Sequence, residues 1–425
     1  MKEVVLQHKE ERDILRAKPY LDRNIAVDKG AYLNSGLIKL ITGPRRAGKS
    51  VIAFQLLSQN DFAYLNFDDN RLVEAFNEDL ILQSLYEVYS GFQFLLLDEI
   101  QNLPSWEAWV GKLYRRGINM VITGSNAKLL SREMATLLTG RYIQIEVLPF
   151  SFYEMLNYRL TEVSVETPAQ KAVLLQTLED YMTYGGYPEI INTRTIAINY
   201  LGSLFDSVLL KDITKRFNVR SVTELYNLSN YLLANYANLF TVSQLAEELG
   251  IGSKTTVQKF CNYLDETYLF FYLPRFNNKL KLMQKAPQKS YIVDNGFIAS
   301  RSFELSPNKG RLLENMVFVE LVRRGYKAGH SLFYYRTRND KEIDFVCKSG
   351  YKVTLLIQVA YDVTTPKTLK REVSAIEEAS QELKCAEGIV ITYNEEQTIS
   401  DSIHVVPVWK WLAGNYSQTG LICEM

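Results

Sequence analysis

A run of eight residues near the start of the chain has the composition and spacing of a phosphate-binding loop. It fits the pattern G-x-x-x-x-G-K-S, follows an apolar run and precedes a helical stretch. Glycine lets such a loop wrap around phosphate groups with its N–H groups pointing inward, and the following helix adds the positive end of its dipole. The predicted nucleotide-binding residues are Gly43, Pro44, Arg45, Arg46, Ala47, Gly48, Lys49, Ser50 and Val51.

Two side chains of this loop have a clear chemical role in the prediction. We expect the Lys49 ammonium to neutralise the β- and γ-phosphates during catalysis, and the Ser50 hydroxyl to ligate Mg²⁺. Arg45 and Arg46 either contact phosphate or a neighbouring domain, or form a solvated loop tip. The competing interpretation of the whole run is an ordinary glycine turn with an exposed lysine. Its position between a predicted strand and a predicted helix favours the phosphate loop.

Two adjacent carboxylates, Asp98 and Glu99, end another apolar run. The ends of strands in α/β sheets are where ligands bind. Asp98 is therefore expected to hold Mg²⁺ together with Ser50, and Glu99 to orient or deprotonate an attacking water. A glutamate directly after the magnesium-holding aspartate favours hydrolysis over phosphoryl transfer to a small molecule. The alternative is that the two acids only cap the strand in solvent.

Further polar side chains are catalytic candidates. Ser125 and Asn126 follow the next apolar run and can reach between the water and the γ-phosphate, unless they form only a polar turn or a helix cap. Arg141 and Arg132 are candidates for supplying positive charge to the transition state. The sequence leaves open which arginine does so, and whether it acts within its own chain or from a neighbouring subunit. Each arginine has a surface position as its alternative.

The elements that must position these residues are short apolar runs alternating with helical stretches. This pattern is typical of parallel strands covered by helices on both faces. The fold class that it predicts is α/β, with a nucleotide-binding parallel sheet. The predicted strands are Leu37–Ile41, Phe62–Phe67, Phe92–Leu97, Met120–Thr123 and Tyr142–Val147.

Length and composition limit the remaining possibilities. A chain of 425 residues exceeds the size of one hydrophobic core, so several domains are expected. Lys plus Arg and Asp plus Glu both total 48, so no whole-molecule basic field attracts nucleic acid or an anionic membrane. The four cysteines are widely spaced, which argues against a disulfide framework or a zinc site. Without a signal peptide or an apolar run of about 20 residues, we expect a soluble cytoplasmic protein without a membrane partner.

The chain beyond the predicted sheet has other patterns. A helix from about Thr241, a turn at 250–252 and a second helix from about Lys254 resemble a winged helix-turn-helix. A long helix and short strands near the end predict a second α/β domain. The predicted domains are residues 1–155 with the phosphate loop and an N-terminal helical lead-in, 156–220 as a helical module, 221–289 as the winged helix-turn-helix, and 290–425 as the second α/β domain.

Four segments, Ile41–Ser50, Leu97–Gln101, Ile122–Asn126 and Leu148–Phe152, together carry a family likeness. The chain resembles the prokaryotic AAA-superfamily ATPases that have a C-terminal domain of unknown function, and the likeness covers nearly its whole length. The resemblance implies an additional-strand P-loop core that uses ATP and Mg²⁺, a winged-helix segment and a C-terminal domain like restriction endonucleases. Only the resemblance favours ATP over GTP, because no base-reading motif is recognisable.

The nuclease-like part of this resemblance implies a set of residues. Such nucleases hold a metal through an acid on a helix, an aspartate on a strand and an acid-x-lysine motif on the next strand. Glu314 and Asp344 fit the first two positions, but Gln358 replaces the second acid and Ala360 replaces the lysine. Without them, metal affinity falls and charge developing on the phosphate is not neutralised. We therefore expect an inactive domain that serves as a scaffold or nucleic-acid platform.

One local segment favours contact with nucleic acid. Arg275–Lys289 contains five basic residues and no acidic ones, with Phe276 among them. Beside a winged helix, such a segment can follow the phosphate backbone of double-stranded DNA. The alternatives are a solvated basic loop and a segment that docks another domain. Winged helices also make protein contacts.

Three functional hypotheses follow from these patterns. The first is an ATPase whose hydrolysis rearranges its winged-helix and nuclease-like domains on DNA or on a protein partner. The second is a nucleotide-gated switch that turns ATP over slowly and signals through a protein partner. The third is an ATP-regulated, metal-dependent nuclease in which Lys348 or Lys352 substitutes for the missing lysine. The sequence leaves the oligomeric state open.

Overall fold

A computed structural model describes residues 1–24, 27–125, 140–159, 167–301 and 308–414. The chain divides into two compact units. The first consists of Met1–Pro149 and Glu266–Tyr268, and the second of Phe150–Asp265 and Leu269–Met425.

The first unit contains a parallel sheet of five strands in the order β2-β3-β4-β1-β5. The predicted α/β fold is confirmed, and each predicted apolar run overlaps one strand. The strand that precedes the phosphate loop, β1, lies between β4 and β5, and β3 and β4 separate it from β2. The strands are β1 (Ile38–Thr42), β2 (Phe62–Asn66), β3 (Phe94–Asp98), β4 (Met120–Gly124) and β5 (Tyr142–Glu146).

This sheet has a hydrophobic core on each of its faces. Leu95 and Leu97 of β3 belong to one core, whereas Phe94 and Leu96 belong to the other. The alternation follows from the two-residue period of a strand, and it explains why β3 is apolar without interruption. The helices of this unit are α1 (Lys2–Arg16), α2 (Lys29–Asn34), α3 (Lys49–Leu56), α4 (Asn70–Glu74), α5 (Glu78–Val88) and α6 (Trp106–Arg115).

The second unit contains additional helices and two further sheets. Its helices are α7 (Phe152–Arg159), α8 (Pro168–Tyr184), α9 (Arg194–Ser207), α10 (Val222–Ala234), α11 (Val242–Glu248), α12 (Lys254–Glu266), α13 (Leu280–Lys285), α14 (Gly296–Arg301), α15 (Lys309–Arg323), α16 (Pro366–Leu383) and α17 (Val408–Leu412). Its strands are β6 (Leu239–Phe240), β7 (Phe270–Pro274), β8 (Gln288–Ile292), β9 (Leu332–Arg336), β10 (Glu342–Ser349), β11 (Lys352–Val359), β12 (Gly388–Thr392), β13 (Gln397–Thr398) and β14 (Ile403–Pro407).

The smaller of these sheets is antiparallel and has the order β6-β8-β7. Along the chain, β6 precedes the pair α11 and α12, and β7 and β8 follow it. Thr241 caps α11 by accepting a hydrogen bond from the Gln244 N–H at 3.1 Å. Gly250 has a φ of 64°, which suits the tight turn before α12 because glycine adopts this conformation without a steric penalty. The two helices and the turn lie where the sequence predicts them, and the winged-helix interpretation of residues 221–289 stays a prediction.

The larger sheet is mixed and has the order β13-β14-β12-β11-β10-β9. Its middle strands β11, β12 and β14 are parallel. At one edge, β10 pairs antiparallel with β11, and β9 pairs antiparallel with β10. Helix α16 connects β11 to β12 and packs on them through Ala375, Ile376 and Ala379. In the ranges that the structure describes, no helix combines the length and apolarity needed to cross a membrane.

Candidate active site

The phosphate loop follows β1 and requires glycine at two positions. A Cβ atom on Gly43 would lie 1.9 Å from the carbonyl oxygen of Val147, because the Val147 N–H donates to the Thr42 carbonyl at 2.7 Å. Gly48 has a φ of 92° and forms the N-cap of α3. Any larger residue would clash at the first position and be strained at the second. The loop therefore leads directly from the end of β1 into the start of α3.

Lys49 and Ser50 begin α3 and turn towards the acids at the end of β3. The Lys49 side chain is buried, donates to the Pro44 carbonyl at 3.2 Å, and lies 3.4 Å from Oε1 of Glu99. The Ser50 hydroxyl donates to Oδ1 of Asp98 at 2.8 Å. The four side chains meet because the carboxyl ends of parallel strands share one edge of the sheet.

Asp98 is buried and held by three hydroxyl groups. Besides Ser50, the Tyr64 hydroxyl donates to Oδ2 at 3.2 Å, and the Thr123 hydroxyl donates to Oδ1. Burial, together with the charge of Glu99, raises the pKa of Asp98 to about 6, although the hydrogen bonds from Thr123 and Ser50 oppose the shift. A nearby cation would stabilise the ionised form of this buried carboxylate.

Glu99 occupies a strained position at the turn after β3. Its φ is 51°, in the left-handed region, which costs about 1 to 3 kcal/mol for a residue other than glycine. Its N–H donates to the Thr123 hydroxyl at 3.0 Å. Burial opposes ionisation of Glu99, but the Lys49 ammonium and the Gln101 amide outweigh it, so the pKa of Glu99 is lowered. Glu99 is therefore a carboxylate, and a proton acceptor, at neutral pH.

Gln101 connects Glu99 to Ser125. Its Nε2 donates to Oε2 of Glu99 and, at 3.2 Å, to the Ser125 hydroxyl. Its Oε1 is buried without a hydrogen-bond partner among the described residues. The sequence analysis assigned no role to Gln101 or Thr123, although both lie in the segments that carry the family likeness. Gln101 lies two residues after Glu99, and Thr123 lies two residues before Ser125. This spacing could have identified both as candidate site residues.

Arg23 also supports the phosphate loop without having been predicted. Its Nη1 donates to the Ala47 carbonyl at 2.9 Å, and its Nη2 donates to the Leu148 carbonyl at 2.7 Å. Of the two loop arginines, Arg46 is exposed with a φ of 64°, whereas the charge of Arg45 contributes to the lowered pKa of Glu99. The positive charge of Arg45 therefore acts on Glu99.

Arg141 lies away from this group. Its carbonyl accepts a hydrogen bond from the Ile38 N–H at 2.8 Å, and its guanidinium lies over the Tyr114 ring. These contacts place it at the amino end of β1, whereas the loop follows the carboxyl end about 15 Å further along. Of the two alternatives that the sequence leaves open for Arg141, these contacts do not favour action within its own chain, and action from a neighbouring subunit stays a prediction. Asn126 and Arg132 lie outside the described residues.

The basic residues of the segment Arg275–Lys289 differ in their exposure to solvent. Arg275 is half-buried and donates from Nη2 to the Arg336 carbonyl at 3.0 Å. Lys289 is buried in β8 and paired with carboxylates, so it cannot contact a phosphate backbone, which corrects its inclusion in the predicted DNA-binding set. The exposed basic residues of the segment are Lys279, Lys281 and Lys285.

The chain matches known families over most of its length. Residues 35–156 match an AAA domain, a range that includes the phosphate loop and the acidic pair. Residues 175–306 and 309–411 match two separate domains of unknown function. The AAA match confirms the AAA-type ATPase core that the sequence segments predict.

Full-length relatives and a solved structure are also similar. An uncharacterized protein of Methanocaldococcus jannaschii is 34% identical, and the alignment covers 96% of this chain and 94% of that protein. An uncharacterized protein of Haemophilus influenzae is 30% identical, covering 90% of this chain and 95% of that protein. Among solved structures, a Walker-type ATPase of Pyrococcus abyssi is similar with a TM-score of 0.45 and 17% identity, covering 67% of this chain and 99% of that one.

Proposed function

The chain belongs to the protein family of its relatives in Methanocaldococcus jannaschii and Haemophilus influenzae and carries an AAA-type ATPase domain, and on this premise we propose that it hydrolyses ATP with Mg²⁺. The observation that carries this proposal is the convergence of Lys49, Ser50, Asp98 and Glu99 at one edge of the sheet. An ammonium, a hydroxyl and two carboxylates in this arrangement are the groups that triphosphate hydrolysis needs.

In this proposal the phosphate groups bind to the loop and to Lys49. Gly43 and Gly48 let the loop turn closely into the start of α3, where the unpaired N–H groups of a helix attract anions. Lys49 is the buried cation of the loop, and its ammonium balances the charge of the β- and γ-phosphates. The binding energy of ATP therefore depends chiefly on this loop.

Ser50 and Asp98 fit Mg²⁺ as a donor set. Mg²⁺ prefers hydroxyl, carboxylate and water oxygens, and these two side chains present such oxygens 2.8 Å apart. Tyr64 and Thr123 fix the Asp98 carboxylate in place through their hydrogen bonds. When bound, Mg²⁺ would neutralise charge on the phosphate oxygens.

Glu99 is the proposed general base. Its lowered pKa keeps it ionised, so its carboxylate can accept the proton of a water molecule that attacks the γ-phosphate. Gln101 holds Oε2 of this carboxylate, and the Lys49 ammonium lies 3.4 Å from Oε1. Ser125 is proposed to contact the water or the γ-phosphate, because Gln101 brings its hydroxyl next to Glu99.

The test of this function is ATP turnover by the purified full chain, measured with Mg²⁺ and with excess EDTA. We expect turnover only with Mg²⁺, and its loss in Asp98→Asn, whose neutral amide holds the cation less strongly. Lys112→Ala is the matched control, because Lys112 is a half-exposed lysine on α6 that pairs with Glu78. Turnover in EDTA equal to that in Mg²⁺, or normal turnover in Asp98→Asn, would refute the proposed site.

We also propose that ATP hydrolysis by this protein is coupled to its contact with DNA. Lys279, Lys281 and Lys285 lie in and beside α13, between the paired strands β7 and β8, and all three are exposed. Three lysines on one short exposed segment that follows a helix pair favour a phosphate backbone as the partner. In this proposal, ATP hydrolysis rearranges the winged-helix and nuclease-like domains on DNA. ATP turnover that is unchanged by double-stranded DNA would favour a protein partner.

A further inference from the structure

The second unit contains a lysine surrounded by three carboxylates. Lys289 of β8 is buried, with 3% of its side chain exposed. Its Nζ lies 2.9 Å from Oε1 of Glu314 on α15, 2.8 Å from Oε1 of Glu342 and 2.9 Å from Oδ1 of Asp344, both on β10. Three acidic oxygens from two different elements therefore converge on one nitrogen.

This arrangement does not fit the metal that the nuclease-like resemblance implies for Glu314 and Asp344. Three converging carboxylates are typical ligands of a hard divalent cation, but the point on which they converge is the ammonium nitrogen. We propose that the Lys289 ammonium is the resident cation of this carboxylate centre, and that the C-terminal domain works without a divalent metal. The proposal does not depend on ATP hydrolysis.

Fixed donors also hold the second oxygen of Asp344 and the same Glu314 oxygen that contacts Lys289. Oδ2 of Asp344 accepts from the Val359 N–H at 2.9 Å. Oε1 of Glu314 accepts from the Tyr291 hydroxyl at 2.7 Å in addition to Lys289. Because backbone and buried hydroxyl donors hold these carboxylates, a metal would have to displace Lys289 to bind between them.

Gln358 explains why the second acid of the nuclease pattern is absent. Its Oε1 accepts from the Asp344 N–H at 2.8 Å, and its Nε2 donates to Oε2 of Glu372 at 2.6 Å. The amide thus uses one donor and one acceptor to join β10 to α16, which a carboxylate at this position could not do. Ala360 is buried in the hydrophobic core of the same domain and offers no side-chain charge.

The charges around Lys289 favour its ionised form. Burial alone would lower the pKa of Lys289, but Asp344 and Glu314 raise it well above its ordinary value. Arg336 supplies a second positive charge at 3.2 Å from Oε2 of Glu342. The ammonium therefore stays charged near neutral pH, as a resident cation must.

The position of Lys289 gives this cation a structural role. Lys289 belongs to the antiparallel sheet of β6, β8 and β7, whereas Glu342 and Asp344 belong to the mixed sheet. The ammonium therefore connects the two sheets of the second unit. Lys289, Glu342 and Arg336 also line a cavity of about 440 Å³.

The test is Mn²⁺ binding, measured by isothermal titration calorimetry on the full chain. We expect Lys289→Ala to bind one equivalent more than the unaltered protein, because three carboxylates then lack a cation. That equivalent should disappear in the double variant Lys289→Ala, Asp344→Asn. Lys367→Ala, which removes an exposed lysine of α16, is the matched control and should bind as the unaltered protein does. A folded Lys289→Ala that binds no more Mn²⁺ than the unaltered protein would overturn the proposal.

Two further measurements cover the case in which Lys289→Ala does not fold in EDTA. Recovery of its far-ultraviolet circular dichroism with Mn²⁺ would support a cation centre, because metal binding then supplies folding energy, and no recovery would count against it. The second measurement leaves Lys289 in place and compares Mn²⁺ binding by the unaltered protein and by Glu314→Gln. We expect equal binding, and the loss of one equivalent in Glu314→Gln would mean that a metal occupies the centre.

Discussion

The Nζ atom of Lys49 lies 3.4 Å from Oε1 of Glu99, so the loop lysine and the proposed general base form a buried pair. A triphosphate brings a stronger negative charge to Lys49 and competes with Glu99 for the ammonium. Gln101 holds the other carboxylate oxygen, so Glu99 keeps one fixed partner when Lys49 turns to phosphate. In the proposed function, this pair would link nucleotide binding to the availability of the base.

The first prediction concerns Lys49→Ala. The variant should bind ATP about 10- to 100-fold more weakly, because charge-assisted hydrogen bonds to the phosphates contribute about 1.5 to 3 kcal/mol. The measurement is a titration with a fluorescent ATP analogue, and Lys112→Ala serves as the control. Unchanged affinity in Lys49→Ala would remove this lysine from the phosphate site.

The second prediction separates binding from chemistry at Glu99. Glu99→Gln should bind ATP at least as tightly as the unaltered protein, because Lys49 loses its competing carboxylate. Its kcat should fall by about 10² to 10⁴, the usual contribution of a general base. Parallel binding and turnover assays check both parts. Normal turnover in the variant would exclude Glu99 as the base.

The third prediction assigns Gln101 a positioning role. Gln101→Ala should lower kcat by about 10- to 100-fold, because losing a buried hydrogen-bond partner costs about 1 to 3 kcal/mol and leaves Glu99 without its fixed contact. ATP affinity should stay unchanged, since no contact of Gln101 with the phosphate loop is observed in the described part of the chain. Steady-state kinetics measure kcat and KM, and thermal unfolding measures the stability of the variant. A lowered kcat together with a raised KM and a lowered melting temperature would instead indicate a purely structural role.

The sheet and the phosphate loop could be predicted because their information is local. Each strand of the first sheet is one apolar run, and the glycine pattern identifies the loop. The meeting of Ser50 and Asp98 was also predictable, although they are 48 residues apart. Both follow from one general property, since the carboxyl ends of parallel strands share an edge.

The same property shows where Arg141 lies within one chain, a point that the sequence analysis left open. Arg141 directly precedes β5, and a residue before a parallel strand lies at the opposite edge from residues that follow one. Lys289 could not be assigned in this way. Its partners Glu314 and Asp344 lie 25 and 55 residues away, in elements whose packing the local pattern does not describe. Counting charges along the segment therefore grouped a buried lysine with exposed ones.

The fourth prediction tests the DNA contact. Replacing Lys279, Lys281 and Lys285 with alanine should weaken binding to double-stranded DNA. It should also lower the slope of log affinity against log salt by about 3, because each lysine that neutralises a phosphate contributes about 0.9. Fluorescence anisotropy with a labelled duplex at several salt concentrations measures both quantities.

The control for this experiment is a triple variant that removes the same charge elsewhere in the second unit. Lys211, Lys367 and Lys370 are exposed lysines outside the segment between β7 and β8, and their replacement with alanine should leave the salt slope nearly unchanged. If both triple variants weaken binding equally, the protein attracts DNA only through its general surface charge. If neither the unaltered protein nor the control binds the duplex, the proposed DNA contact of Lys279, Lys281 and Lys285 is refuted, and ATP turnover is then measured with candidate protein partners.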